Sequence, residues 1–483
     1  MSDYLNKFYN LADLVGKRRN VLLHAPGGVG KTYALTKLVE SLNPGCGCRP
    51  VVVGVTALTG GAALRINDMN PTAMARTIHS WAGVELARGS LNDVLRTVKG
   101  KGKAIRRWVT TDLLIIDEVS MMSKDLMDKL DFVAKQIRHC SEPFGGMVVV
   151  VSGDFLQLPP VEGGWVFDSE AWKSLKFVCV SFDEPQRYPD IAYFNMLKRI
   201  RVGEPTDDDI DLLWSRVAAY TSYKEEESSD TPEKSVGKIK PTILYSRRVD
   251  VMGYNMGELE KLPDTTRIFT AVDGLTTEGY VRPDIRERLK KKYQGMFDND
   301  MPSTIPLKIG AQVMLKVNLD VDNGLVNGSR GVVLQIGIDN VMVKFRIGIV
   351  AVALHTWKIE EDDVVATRRQ IPLTLAWAAT IHSCQGSSLD YACIDIGPSI
   401  FSPGQAYVAL SRVRTFEGLL ISSFTPKSIH ASAEALKFIN SLENASEDPV
   451  FYLLSRGKCT LSGSAETTSM FHTTRSAPVL SLT

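Results

Sequence analysis

Along the first 180 residues, short apolar runs alternate with stretches of helical period. The runs are VLLHA (21–25), VVVGVT (51–56), LLIID (113–117) and VVVVSGD (148–154). Each is apolar at consecutive positions, as a strand buried on both faces must be, and each gives way to a small or polar turn. Strands alternating with helices predict a parallel, doubly wound α/β sheet. Between the second and third runs, KGKGKAIRRW (99–108) is basic and broken by glycine, and reads as a solvated loop. YKEEESSDTPEKSVGK (223–238) reads as an exposed loop or linker. Strand-like residues resume at TILYS (242–246), and over 264–370 the texture changes. AQVMLKVNL, GVVLQIG and VMVKFRI alternate between Gly and Asn turns, with few helical signals, which predicts a small antiparallel barrel or sandwich. Helix–strand alternation returns with LAWAATIHSCQG (375–386), YACIDIG (391–397), GQAYVALSR (404–412) and GLLISSF (418–424). A second α/β unit is thus interrupted by a β-rich insertion. From Glu443 the chain is rich in Ser and Thr, and a poorly ordered tail is expected.

Composition narrows the class. At 483 residues the chain exceeds one compact core, and 44% hydrophobic with 23% charged residues is an ordinary globular balance. A formal charge of +1 means that a nucleic-acid partner would be held by local basic patches, not by a global field. Seven scattered cysteines argue for a reducing compartment, with Cys46 and Cys48 read as loop residues and metal binding by the pair as the lesser alternative. There is no run of eighteen apolar residues and no signal-peptide core in MSDYLNKFYN, so a soluble intracellular protein without a membrane partner is expected.

Three stretches carry chemistry. HAPGGVGKT (24–32) follows the first strand and opens a helix. In the turn Pro26, Gly27, Gly28, Val29, Gly30, glycines let backbone N–H groups curl around phosphate oxygens. Lys31 then supplies a cation to the terminal phosphates, and Thr32 a hydroxyl to Mg²⁺. Ala25 stands where the strict pattern has its first glycine. A flexible glycine-rich turn is the plain alternative, but strand before and helix after favour phosphate binding. LLIIDEVSMM (113–122) ends a buried strand in Asp117, which can hold Mg²⁺, and Glu118, which can polarise the attacking water. MVVVVSGDFLQLPP (147–160) brings Asp154 and Gln157 to the same sheet edge, where an amide can meet a γ-phosphate.

With these blocks in order, and with VTALTGGAA (55–63), TIHSWAGV (77–84) and LKIGAQVMLKVNL (307–319) between them, residues 20–425 resemble the PIF-type (petite integration frequency) DNA helicases. These belong to the 5′→3′ branch of superfamily 1, with the RecD-like enzymes. The resemblance implies an α/β fold of two RecA-like P-loop domains with parallel sheets. An SH3-like β-barrel is inserted in the second, and a small wedge element in the first, where KGKGKAIRRW falls, with a solvated loop the equal alternative for that segment. The implied boundaries are 1–180 for the first domain (wedge about 84–110) and 181–262 for the start of the second. The insertion spans 263–370, the rest of the second domain 371–442, and the tail 443–483. ATP and Mg²⁺ are the implied cofactors, with ATP in the cleft between the domains.

By the same resemblance, Arg187 and Arg412 reach the γ-phosphate from the second domain, and Gln385 and Gln405 couple the cleft to DNA. Thr56, Thr59, His382 and Ser383 contact the phosphates of single-stranded DNA, with His79 beside the strand and Trp81 a stacking candidate or, equally, a core aromatic. The expected partners are single-stranded and forked duplex DNA, met by a monomer that can pair on DNA. Two departures stand out: IHSCQG (381–386) lacks the family's lysine, and no adenine-reading Gln precedes the phosphate loop. The expected activity is ATP-dependent 5′→3′ unwinding in replication, repair or recombination, the alternative being a translocase that does not unwind. A switch GTPase would need an NKxD block, which is absent. A non-catalytic DNA clamp would have no use for intact Lys31, Glu118, Gln157 and Arg412.

Overall fold

The structure, a computed structural model, describes residues 3–42, 50–160, 162–229, 240–277, 279–317, 319–320, 325, 327–361, 364–381, 389 and 391–445. In the first lobe, β1 (Val21–His24), β2 (Val53–Ala57), β3 (Arg76–Thr77), β4 (Leu113–Asp117), β5 (Val148–Gly153) and β6 (Val178–Val180) form one sheet in the order β3-β2-β4-β5-β1-β6. Every pairing in it is parallel. β4 and β5 are buried at every residue, which is why their sequences never alternate. Because β4, β5 and β1 are neighbours in register, their carboxyl ends open on one edge.

The second lobe's sheet takes its first strand from β7 (Thr242–Tyr245). The insertion follows: β8 (Arg267–Thr270), β9 (Val272–Thr277), β10 (Thr304–Leu307), β11 (Gln312–Leu315), β12 (Arg330–Ile336), β13 (Asn340–Phe345), β14 (Gly348–Ala353), β15 (His355–Glu361), β16 (Val364–Gln370) and β17 (Leu373–Leu375). The chain then returns through β18 (Ala378–Thr380), β19 (Ala392–Ile396) and β20 (Leu419–Phe424), giving a second parallel sheet in the order β18-β7-β19-β20. The insertion is antiparallel throughout, with sheets β14-β13-β12-β11-β17, β15-β16-β9 and β10-β8.

Three local readings are corrected. Residues 99–108 are not a solvated loop. They straddle the helices Leu91–Lys99 and Gly102–Thr110, whose Val94, Leu95, Val98, Ala104 and Trp108 are buried. Residues 223–229 end the 23-residue helix Asp207–Ser229, while the rest of that stretch lies outside the described residues. The insertion holds an 18-residue helix, Pro283–Asp300, that its sequence did not announce. Charges dominate it, yet Leu289, Tyr293, Met296 and Phe297 share one face and pack on Trp357, Ile359 and Ala366. Cys46, Cys48 and everything beyond 445 lie outside the described residues. Among the described residues, no helix is long and apolar enough to cross a membrane.

The helix Ala433–Ala445, the last of the described elements, packs back on the first lobe. Its Ala435 and Ile439 are buried in that lobe's core, and Phe438 stacks on Phe167 with centroids 4.2 Å apart and planes 8° from parallel. Phe438 also meets Phe155 edge-on at 5.2 Å. Phe438→Ala should therefore destabilise the protein by about 3 kcal/mol. A thermal scan should show a midpoint lowered by several degrees, and an unchanged midpoint would deny that this helix clasps the lobe.

Candidate nucleotide-binding site

β1 runs into the turn Ala25–Gly30, and the helix Lys31–Ser41 starts on Gly30, whose φ of 89° is left-handed. Gly28 has φ 84°, and a Cβ there would meet the Tyr188 ring at 2.6 Å and Arg187 Cβ at 2.9 Å. Only glycine satisfies both the conformation and the space. Lys31 Nζ donates to the carbonyls of Ala25 (2.7 Å) and Pro26 (2.8 Å), which holds the ammonium over the loop. Burial lowers its pKa, opposed by Asp154, Glu118 and Asp117. Thr32 Oγ1 donates to Asp117 Oδ2 at 3.0 Å. The two hard oxygens lie side by side at a buried strand end, a donor set that fits Mg²⁺.

Glu118 takes left-handed backbone (φ 57°), unusual for a side chain of its size. Its N–H donates to Asp117 Oδ1 at 2.9 Å, and its carboxylate lies 3.6 Å from the Arg65 guanidinium. Burial raises the Glu118 pKa, Asp117 adds to the rise, and Arg65, Lys31 and Arg412 counter it. A carboxylate made more basic in this way is suited to accept a proton from water.

The opposite wall comes from the second lobe. The helix Gln405–Leu410 begins on Gly404 (φ 73°), where any side chain would strike the carbonyls of Leu156 and Gln157. That close approach carries Tyr407 to the phosphate loop, and its hydroxyl accepts the Gly27 N–H at 2.9 Å. Arg412 is 1% exposed, donating from Nε to Val408 O and from Nη2 to Ser411 Oγ, both at 2.9 Å. Burial and the neighbouring Arg187 lower its pKa to about 10, so it remains a cation at neutral pH. Arg187 Nη1 donates to Ser411 O at 3.0 Å, and Tyr188 Oη to the same carbonyl at 2.8 Å. The N–H groups of Gln186 and Arg187 both reach Gly28 O at 2.9 Å. A Cβ on Gly27 would sit 3.3 Å from Gln157 Nε2, 3.4 Å from Tyr407 Oη and 3.7 Å from Arg412 Nη2.

Lys31, Thr32, Asp117, Glu118, Gln157, Arg187 and Arg412 thus line one cleft with the loop Pro26–Gly30. Gln405 is fully buried, and its Oε1 accepts the Phe401 N–H at 3.2 Å, a contact within its own turn. Gln385, His382 and Ser383 lie outside the described residues.

One of the DNA candidates, Thr56, is corrected, and Trp81 takes the core alternative rather than the stacking one. Thr56 points inward on β2, fully buried, and donates to Ile115 O at 2.7 Å. Trp81 is a core residue, 4% exposed, meeting Trp108 edge-on at 4.7 Å and pressing against Gly54. Thr59 stays half-buried, capping the helix Gly60–Met69 by accepting from Ala62 N. His79 is half-buried in the helix Ile78–Ala82, and burial lowers its pKa. Sequence reasoning missed Arg65, Tyr188, Arg201, His24 and Tyr407. Three of them had a signal: His24 opens HAPGGVGKT, Tyr188 follows Arg187, and Tyr407 lies within GQAYVALSR.

A phosphate loop, a paired Thr and Asp, and arginines supplied by a second parallel-sheet lobe define a two-lobed P-loop nucleotide-binding protein. The PIF1-like helicase family profile matches residues 8–202, and that of the DNA helicase Pif1 2B domain matches 299–336. The chain is 34% identical over 436 residues to the ATP-dependent DNA helicase PIF1 of Xenopus laevis, covering 88% of this chain and 62% of the relative. It superposes on the crystal structure of Pif1 helicase from Candida albicans with a TM-score of 0.70 and 30% identity, covering 92% of this chain and 99% of that one. Pif1 helicase from Bacteroides in complex with ADP-AlF3 and single-stranded DNA matches with a TM-score of 0.60 and 26% identity, covering 91% and 97%. This chain belongs to the PIF1-like helicase family. It spans about three-fifths of the length of the Xenopus relative.

The floor of the cleft makes a pH prediction. Burial, with Arg201 adding to it, lowers the His24 pKa from 6.5 to about 3. An unfolded chain would take up the proton that folded His24 refuses, so stability should fall as pH drops from 6.5 toward 3, by up to about 1.4 kcal/mol per unit. Thermal midpoints recorded between pH 4 and 7 should show a shallower slope for His24→Gln than for the unmodified chain; identical slopes would exclude His24 as the source.

Proposed function

We propose that the chain is an ATP-dependent DNA helicase that moves 5′→3′ along single-stranded DNA. The observation that carries this reading is the meeting of Tyr407, Arg187 and Arg412 with a phosphate loop from the other lobe. Hydrolysis at such a boundary changes the relation between the lobes, which is what a translocating motor needs. Lys31 and the loop N–H groups bind the β- and γ-phosphates of ATP, and Glu118 takes a proton from the attacking water. Mg²⁺, held by Thr32 and Asp117, would supply charge neutralisation between the phosphates. Arg412 and Arg187 offset charge on the transferring phosphoryl group only when the lobes are together, so closure and chemistry are coupled.

The Bacteroides relative solved with single-stranded DNA supports the same partner here. Thr59 and His79 remain the first-lobe DNA candidates, and His382 and Ser383, which lie outside the described residues, are the second-lobe candidates. ATP-driven approach of the two grips, followed by release after hydrolysis, gives a step of about one nucleotide, and opening a base pair costs about 1.4 kcal/mol in stacking. The 5′→3′ direction rests on family likeness, since nothing in the cleft itself encodes it.

Glu118→Gln should bind ATP with a dissociation constant within a few-fold of the unmodified chain while turnover falls about a hundredfold or more. Near-normal turnover would remove Glu118 as the base. With no adenine-reading Gln before the loop, GTP should also support activity, and a roughly hundredfold preference for ATP in kcat/KM would mean that another residue reads the base. Partial duplexes with a single 5′ or 3′ tail test the whole reading. Unwinding from the 5′ tail is expected, unwinding only from the 3′ tail contradicts it, and stimulated ATPase without unwinding leaves a translocase.

A further inference from the structure

One largely covered guanidinium, with 11% of its side chain exposed, organises the floor of the cleft without facing it. Arg201 lies in the last turn of the helix Ile191–Val202. Its Nε donates to both Asp154 oxygens (3.0 and 3.1 Å), and its Nη2 donates to Asp154 Oδ1 at 2.8 Å. The same Nη2 reaches His24 Nε2 at 2.9 Å. His24 ends β1 and is followed at once by the turn into the phosphate loop, while Asp154 directly follows β5. A single side chain therefore fixes the exits of both strands.

Buried ion pairs are weak evidence of a stabilising purpose, because an apolar replacement often serves as well. The geometry points to another use. Asp154 Oδ2 accepts from Gln157 Nε2 at 3.4 Å, and Oδ1 accepts the Leu156 N–H at 3.2 Å. A carboxylate has no N–H to offer, so it accepts only the NH₂ end of the amide. That decides which way round the Gln157 amide sits beside Gly27, and hence which of its ends can meet a phosphate oxygen or the attacking water.

We propose that Arg201 is a positioning residue for hydrolysis: through Asp154 it fixes the orientation of the Gln157 amide against the phosphate loop. The inference rests on the hydrolytic reading above. The helix that bears Arg201 also bears Tyr193, whose hydroxyl donates to Leu410 O at 2.9 Å. Gln157 and the segment ending in Arg412 are thereby referenced to one element. The charges hold across the neutral range. Burial would push the Asp154 carboxyl up, but Arg201 foremost, with Lys31 adding to it, brings it down to about 2, while burial keeps His24 neutral.

A double-mutant cycle on the full chain tests this, read by single-turnover ATP hydrolysis at saturating single-stranded DNA so that slow rates are measurable. Arg201→Lys keeps the charge and loses the fork. It should lower the hydrolysis rate by about ten- to a hundredfold with ATP affinity and thermal midpoint little changed. In a Gln157→Ala background the same change should cost almost nothing more, because its route of action is gone. Asp154→Asn, which permits the amide to turn round, should behave alike and stands in if Arg201→Lys does not fold. Losses that multiply with Gln157→Ala, or weaker ATP binding at an unchanged rate, overturn the proposal. An unmodified chain that hydrolyses no ATP would instead contradict the function proposed above.

Discussion

The hydrogen bond from the Gly27 N–H to the Tyr407 hydroxyl joins a loop and a helix 380 residues apart in sequence, and the site depends on the approach it marks. A phosphate loop is a set of backbone donors, and here one of those donors is already aimed at the other lobe. The approach is close because Gly404 has no side chain and lets its helix start against the carbonyls of Leu156 and Gln157. From the other side, Gly28 admits Tyr188 and takes two N–H groups from Gln186 and Arg187. Two glycines thus make one cleft of two lobes. The arginines gain their position from it: Arg412 is held along its own turn by Val408 and Ser411, and Arg187 braces the same turn at Ser411.

The catalytic half of this arrangement was legible in the sequence because backbone chemistry constrains it. A phosphate loop needs glycines at fixed spacing, and a buried strand ending in Asp117 and Glu118 can only present them at the sheet edge. Thr56 and Trp81 were not legible in the same way. Their residue types suit DNA contact, but direction is decided by the pleat of β2 and by the packing of two short helices, which turn both side chains inward. The helix Pro283–Asp300 was hidden for a related reason. Its charged residues outnumber the four that pack, so the period of 3.6 is faint until the sheet it covers is known. Arg201 had no motif at all, since its role comes from a contact 47 residues away.

The insertion shows how a polar sequence keeps a defined shape. Arg368 is fully buried, forked onto Asp273 at 2.7 Å through Nε and Nη2, and bonded through Nη1 to Asp298 and Met301 O. Phe297 lies under the guanidinium with its centroid 5.2 Å away. This one side chain fastens the end of the helix Pro283–Asp300 to the sheet β15-β16-β9. Glu85 then stands between lobes, 3.1 Å from Lys101 of the first and 3.9 Å from Lys292 of the insertion. Only the Lys292 pair crosses to the insertion, and at 3.9 Å between partly exposed side chains it is weak.

The central claim is that one hydrolytic site is assembled from both lobes. Arg412→Lys tests it most directly, because lysine preserves the charge but not the planar fork or its reach. The measurement is the rate of ATP hydrolysis stimulated by single-stranded DNA, set beside ATP affinity for the same variant. The account predicts a rate lower by about a hundredfold or more with affinity within a few-fold. A rate equal to that of the unmodified chain would show that the first lobe hydrolyses ATP alone, and would contradict the account.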